Sequence, residues 1–307
     1  MRNTVLVTGA DGFIGSRVVR AISNSHIVRA GVRSTKSANK SEDRFEIGEI
    51  IGTTQWYEKL ADVSTIIHLA AVAHNNSKDP NYINEVNVNG SIHLAEQAVR
   101  LGVKRFVFIS SIAVLGNKTN VSFSESSNLS PQSYPAECKC KVEKALLKIS
   151  QETNLEVVII RPVLVYGKNA PGNFGKLVRL IGRLSFLPFA LCHNKRSFIS
   201  VDNLVDFISI CITHPKAKNE IFCISDGTDV SIREFTDGVA KGLNKKLLQL
   251  PIPICILKLL GKITGKNELM GQLIDDLQVD SSKARKLLGW TPPVTMAETL
   301  SKLTNIK

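Results

Sequence analysis

VLVTGADGFIGSRVVRAI, Val5 to Ile22, carries an apolar run into a glycine turn and then into a helical pattern of apolar and basic residues. Gly9, Gly12 and Gly15 punctuate that turn. Backbone without side chains lets an anion come close, and the helix beyond it offers unpaired N–H groups to negative charge. Strand, glycine turn and helix in this order predict a dinucleotide-binding turn, with a purely structural glycine loop as the alternative.

The rest of the first half repeats the pattern. HIVRAGV, TIIHLAA, RFVFISS and EVVIIRP are apolar runs bounded by polar residues or glycine, and Asn89 to Leu101 between them has helical spacing. Near-continuous apolar strands separated by helices predict a parallel sheet covered on both faces, the doubly wound α/β (Rossmann) fold. Beyond Pro162 the pattern changes: GNFGKLVRLIGRLSFLPF predicts a helix leaving the sheet, and RSFISVDNLVDFISICI a short strand with a returning helix. Residues 1–166 are expected to form the dinucleotide-binding domain and 167–307 mainly a smaller substrate-binding lobe, with some segments returning to the first domain. LPIPICILKLLGKITGK, Leu250 to Lys266, reads as a lobe helix packed on the core or as a membrane-surface helix; its prolines and modest length favour the former.

A chain of 307 residues can bury a substantial core without disulfides or metals. It has no run of ~20 apolar residues to span a bilayer, and its first residues lack the apolar core of a signal peptide. A cytoplasmic protein with no integral membrane segment is expected. The six cysteines are scattered and form no C-x-x-C pair, so reduced thiols and no metal site are expected. The formal charge of +12 is dispersed and carries no nucleic-acid motif. A small polyanionic ligand such as a nucleotide, rather than nucleic acid, fits that field.

TGADGFIG is spaced G-x-x-G-x-x-G and is followed by HLAA (68–71), VNVNGS (86–91), FVFISSIAVLG (106–116), IIRPVLVYG (159–167), RSFISVDN (196–203) and LGWTPP (288–293). The set resembles the extended short-chain dehydrogenase/reductase family of nucleotide-sugar epimerases, dehydratases and reductases, nearly end to end. The resemblance implies that Gly9, Asp11, Gly12, Phe13, Ile14 and Gly15 cradle a nicotinamide dinucleotide beside Leu69, Ala70 and Ala71. An acid about 20 residues past the turn commonly selects NAD, and an arginine accommodates the 2′-phosphate of NADP. No Asp or Glu occurs between Gly12 and Ser41, whereas Arg33 ends the second strand with Lys36 close behind. NADP is therefore favoured slightly over NAD, with Glu49 in EIGEI expected near the adenine.

Exchanging a proton with a sugar hydroxyl while hydride moves suits a tyrosine whose pKa a nearby lysine lowers, and a serine that holds the oxygen in line. The resemblance puts Ser111 at the serine position and, through CKCKVEKAL, Lys139 at the lysine and Glu143 at the following glutamate. Pro135, not Tyr134, then falls at the tyrosine position. Four residues along a helix leave ~40° between side chains and five leave ~140°. Since proline favours the first helical position, Tyr134 is expected just outside the helix, displaced yet able to act.

At the substrate end the resemblance implies that Asn173 and Arg196 hold the diphosphate of a UDP-sugar. Arg161, before a proline, reads as structural; His68 and His74 read as structural or as neighbours of the cofactor pocket. The resulting reading is 4-ketoreduction of a UDP-sugar, of the N-acetylquinovosamine type used for surface polysaccharide. A UDP-glucose 4-epimerase is the near alternative and a non-catalytic NAD(P)-binding protein the distant one. The family also implies pairing into a homodimer through helices of the first domain.

Overall fold

The computed structural model describes residues 3–34, 44–72, 79–265 and 267–305. In chain order the strands are β1 Thr4–Thr8, β2 Ile27–Val32, β3 Arg44–Glu46, β4 Val63–His68, β5 Arg105–Ile109, β6 Glu156–Pro162, β7 Leu164–Tyr166, β8 Phe186–Leu187, β9 Arg196–Ser200, β10 Glu220–Ile224, β11 Asp229–Val230 and β12 Leu248–Gln249. The helices are α1 Gly15–Ile22, α2 Pro80–Asn84, α3 Ser91–Arg100, α4 Tyr134–Glu152, α5 Gly172–Arg183, α6 Val201–Thr213, α7 Ile232–Gly242, α8 Ile254–Ile263, α9 Asn267–Ile274, α10 Ser282–Leu288 and α11 Met296–Ser301.

Seven strands pair in parallel in the order β10-β6-β5-β4-β1-β2-β3. Their Val and Ile side chains are buried on both faces, each face forming its own apolar cluster, as a doubly wound sheet requires. β2 leaves β1 on one side and β4 returns on the other. The chain order therefore reverses at the carboxyl ends of β1 and β4, the position where such sheets bind ligands. The strands predicted from the five apolar runs all appear; β3 and β10 were not separated from their surroundings because each is short and irregularly patterned.

The helix expected over Asn89–Leu101 begins later, at Ser91, because Glu85–Gly90 winds as a π-helix. A Cβ on Gly90 would overlap the Ile50 carbonyl, so the absent side chain lets this wider turn lie against the loop after β3. The second lobe is built on the small sheet β11-β9-β7 and a core in which the rings of Phe198 and Phe235 stack at 4.0 Å. Asp226 ties it to the large sheet, accepting hydrogen bonds from Tyr166 Oη (2.7 Å), Asn203 Nδ2 (2.6 Å) and the Ser200 amide (3.0 Å). The VYG and VDN motifs thus meet on one half-buried carboxylate.

The segment 250–266 departs from its expected packing. Its prolines precede α8, with Pro253 as the N-cap, and only Leu257 and Gly261 of the helix are buried. No helix among the described residues is long and apolar enough to cross a membrane.

Candidate active site

At the end of β1 the chain turns sharply at Gly9 (φ +70°), and the Gly12 amide closes the turn on the Gly9 carbonyl at 2.9 Å. A Cβ on Gly15 would overlap that carbonyl, and one on Gly9 would come within 2.9 Å of the Ala70 amide. The glycines therefore let β1, α1 and the Leu69–Ala71 segment approach as close as backbone permits. Thr8 Oγ1 accepts from the amides of Leu69 and Ala70, both at 3.2 Å, and bonds His68 Nδ1 at 2.8 Å. His68 Nε2 meets Ser91 Oγ at 2.8 Å, and Ser91 donates to the Asn87 carbonyl. With both Thr8 acceptor positions taken by amides, its hydroxyl proton goes to Nδ1, leaving Nε2–H to donate to Ser91. Burial, reinforced by the Lys139 charge, pushes the His68 imidazole down to about 3, so it stays neutral and structural.

Above this turn lies a cavity of about 190 Å³ whose lining includes Gly9, Asp11, Arg33, Glu49, Ala70 and Ala71. A glycine turn opening onto an adenosine-sized cavity fits a dinucleotide. Asp11 pairs with Arg44, and Tyr82 Oη donates to Glu49 at 2.8 Å. Phe13 and Ile14 precede α1, Ile14 as its N-cap: the Arg17 guanidinium lies over the Phe13 ring and donates to the carbonyls of Phe13 and Lys168, pinning the helix N-terminus to the loop after β7. Tyr82, Val86, Ile47 and Ile50 also line the cavity and were missed in the sequence, where EIGEI pointed only to Glu49. Lys36 and His74 lie outside the described residues.

The rotation of α4 is set by a buried cluster. Glu143 accepts from Arg161 Nη2 at 2.6 Å and from Arg161 Nε, and Ser110 Oγ–H donates to its other oxygen. Both ionic side chains are almost fully buried. Desolvation opposes the Arg161 charge, but the hydrogen bond and charge of Glu143 more than offset it. One turn earlier, Lys139 Nζ donates to the Ile109 carbonyl at 2.7 Å and sits 5.0 Å from the centre of the Phe108 ring, at the carboxyl end of β5. Desolvation pushes its ammonium down to about 8, against the partial offset of Glu143. Ser111 follows directly, as N-cap of the short 3₁₀ turn Ile112–Val114, its Oγ accepting from the Ala113 amide.

Tyr134 is not placed as expected. It is the first residue of α4 rather than a residue outside it, with Pro135 second and Ser133 as the extended N-cap. Being helical, it takes the full ~140° offset from Lys139. Its hydroxyl donates to the Pro80 carbonyl at 3.0 Å, at the start of α2, while Lys139 bonds Ile109. Loss of hydration, then nearby Cys138, Glu137 and Asp79, raise the phenol pKa, the opposite of activation by a lysine.

Two clefts of about 760 and 630 Å³ share Lys118 and Asp275 and lie between the end of β5 and α9. Gln132, Asn267 and Gln272 line the smaller, and His193 and Lys258 the larger. Arg196, expected to face a diphosphate, is buried and donates to the Asp275 carbonyl at 2.7 Å; desolvation pushes it down to about 10. Its position inside strand β9 turns the guanidinium toward the lobe, and it supports the cleft wall. Asn173 is exposed and bonds Gln272 Oε1 at 3.1 Å, beside the smaller cleft. Lys118, which the sequence reading did not single out, is the cation lining both clefts.

Residues 5–225 match the NAD dependent epimerase/dehydratase family, and the chain belongs to that family of short-chain dehydrogenase/reductase enzymes. Among its relatives is a UDP-glucose 4-epimerase of Vibrio cholerae, 41% identical and covering 97% of this chain and 93% of that protein. An N-acetyl-α-D-glucosaminyl-diphospho-ditrans,octacis-undecaprenol 4-epimerase of Escherichia coli O157:H7 is 27% identical over 98% and 94%. The solved UDP-glucose 4-epimerase of Thermotoga maritima with UDP-glucose superposes with a TM-score of 0.78 at 23% identity, covering 98% and 97% of the two chains.

Glu143→Ala strands Arg161 without its counter-charge and is expected to cost about 3–5 kcal/mol, whereas Glu143→Gln, which keeps an acceptor, costs less. Urea unfolding of the three proteins measures both values. Equal stabilities would remove the cluster's role in seating α4.

Proposed function

We propose that the protein is a 4-epimerase of a UDP-hexose or UDP-N-acetylhexosamine. The 41% identity to a UDP-glucose 4-epimerase, over nearly the whole of both chains, carries this reading. It replaces the 4-ketoreductase expectation, for which Arg33 and short sequence motifs were the only support.

NAD is the cofactor that this reading favours, and solved relatives of the same fold hold NAD. Arg33 shares its cavity with Glu49, whose charge opposes a 2′-phosphate there, and with Asp11, whose charge Arg44 balances. When bound, the nicotinamide supplies reversible hydride exchange at C4 of the sugar. The glycine turn Gly9–Gly15 would hold the pyrophosphate, Glu49 and Tyr82 would bound the adenosine, and Leu69–Ala71 would wall the site.

Ser111 would hold the 4-hydroxyl, and Lys139, as a neutral amine, would take its proton as the alcohol is oxidised and return it when the 4-keto sugar is reduced. Lys139 fits this role better than Tyr134 because its ammonium reaches the carboxyl end of β5 at Ile109, two residues before Ser111, with a lowered pKa, while Tyr134 bonds Pro80. Lys118, Gln132 and Gln272 offer donors to the diphosphate and sugar, with Asn173 bracing Gln272.

Purified protein incubated with UDP-glucose or UDP-N-acetylglucosamine is expected to yield the 4-epimer, of equal mass, without consuming added NADH or NADPH. Acid release should give NAD. A stoichiometric need for NADPH, with reduction of a 4-keto sugar and no epimerisation, would overturn the reading.

Because the starting state needs neutral Lys139, kcat/KM should rise with pH and level off above about 8. Lys139→Met should remove the inflection and lower kcat about 10²–10⁴-fold, while Tyr134→Phe should change it less than about tenfold. An inflection that survives in Lys139→Met would reassign the proton.

A further inference from the structure

Helix α8, ICILKLLGKI, is apolar on the side that faces away from the protein. Leu257 and Gly261 are buried and Gly261 lies against Met270 of α9, whereas Ile256, Leu259, Leu260 and Ile263 are 45, 55, 47 and 72% exposed. At 3.6 residues per turn these four fall in an arc of ~100°. Lys258 and Lys262, both exposed, lie on one flank between the outward and the buried faces. Contiguous outward apolar surface of this kind marks an interaction site.

The chain leading into and through α8 is one-sided in charge, and of its lysines Lys258 pairs with Asp275 beyond α9 at 3.3 Å. From Lys241 to Lys266 there are six lysines and no Asp or Glu. The segment from Gly172 to Cys192 is likewise free of acids and carries Lys176, Arg179 and Arg183. In it Phe186, 52% exposed, pairs with Leu248, 63% exposed, across β8 and β12, only a few residues before α8 begins. Lys245 reaches back to the Gly182 carbonyl and joins the two basic segments.

We propose that the outward face of α8, with its basic surroundings, seats the protein on an anionic lipid bilayer. A helix with an exposed apolar arc and a lysine flank inserts its apolar side at the headgroup boundary, and the basic residues add attraction to anionic lipid. Charge decides the occupant. A second copy placed on this face would set lysines against lysines, whereas an anionic surface complements every charged group on the two segments. The same helix turns Ile254 and Lys258 toward the larger cleft, and Asn267 and Gln272 of α9 line the smaller. Docking therefore places the substrate clefts near the membrane surface, where glycosyl diphosphates are handed to membrane-bound acceptors. The bilayer contact does not depend on which sugar the site takes.

The test is flotation of the full-length protein with phosphatidylcholine vesicles, with and without phosphatidylglycerol, alongside analytical ultracentrifugation. The wild type is expected to float with phosphatidylglycerol vesicles and to be released by salt. Leu259→Glu/Ile263→Glu should lower the bound fraction about tenfold and Lys262→Glu should lower it less. Both variants should keep the unfolding temperature and cofactor content of the wild type, since the altered side chains contact little. Failure of the wild type to float, or equal flotation of the double variant, overturns the proposal. So does a wild-type dimer that the double variant splits into monomers, which would assign the face to a second copy.

Discussion

Glu143, buried between Arg161 and Ser110, holds α4 at one rotation against the sheet, and the geometry of the proposed reaction centre follows from it. Parting a buried ion pair leaves an uncompensated charge, so the helix cannot turn without exposing one charge to an apolar layer. With that phase fixed, Lys139, four residues before Glu143, reaches the carboxyl end of β5, and Ser111 follows the clamped Ser110 directly. The same phase turns Tyr134 toward α2. One buried contact thus selects which side chains share the site.

The cofactor side rests on close backbone approach rather than on charge. Gly9 and Gly15 bring β1, α1 and the Leu69–Ala71 segment together, and Thr8, His68 and Ser91 pass hydrogen bonds between them without a net charge. Asp226 performs the corresponding task between domain and lobe. The Thr8–His68–Ser91 chain is neutral, whereas loss of hydration raises the Asp226 pKa against its three hydrogen bonds.

Most of the fold was legible because burial on both faces of a parallel sheet writes continuous apolar runs, and a glycine turn between strand and helix has few other uses. The phase of Lys139 relative to Glu143 was legible from the residues after it, since helical spacing does not depend on where the helix starts. Tyr134 was not: whether the residue before a proline is helical rests on a single turn of backbone, and one residue changes its direction by ~100°. Arg196 and Arg33 mark another limit. Sequence gives a cation's presence but not its neighbours, and here the Asp275 carbonyl occupies one while Asp11 and Glu49 share the cavity of the other. The outward face of α8 was obscured for a similar reason, because its prolines cap the helix rather than break it.

Position 135, not 134, shares a face with Lys139. Exchanging the two residues, Tyr134→Pro with Pro135→Tyr, keeps composition and the extended N-cap at Ser133 while moving the hydroxyl to within ~40° of Lys139. Steady-state epimerase turnover of this variant is the most direct measurement. Its kcat is expected to rise by about tenfold or more as a lysine-coupled phenol joins the site. Loss of turnover on the exchange would contradict it, showing that Tyr134 already carries the proton from where it stands.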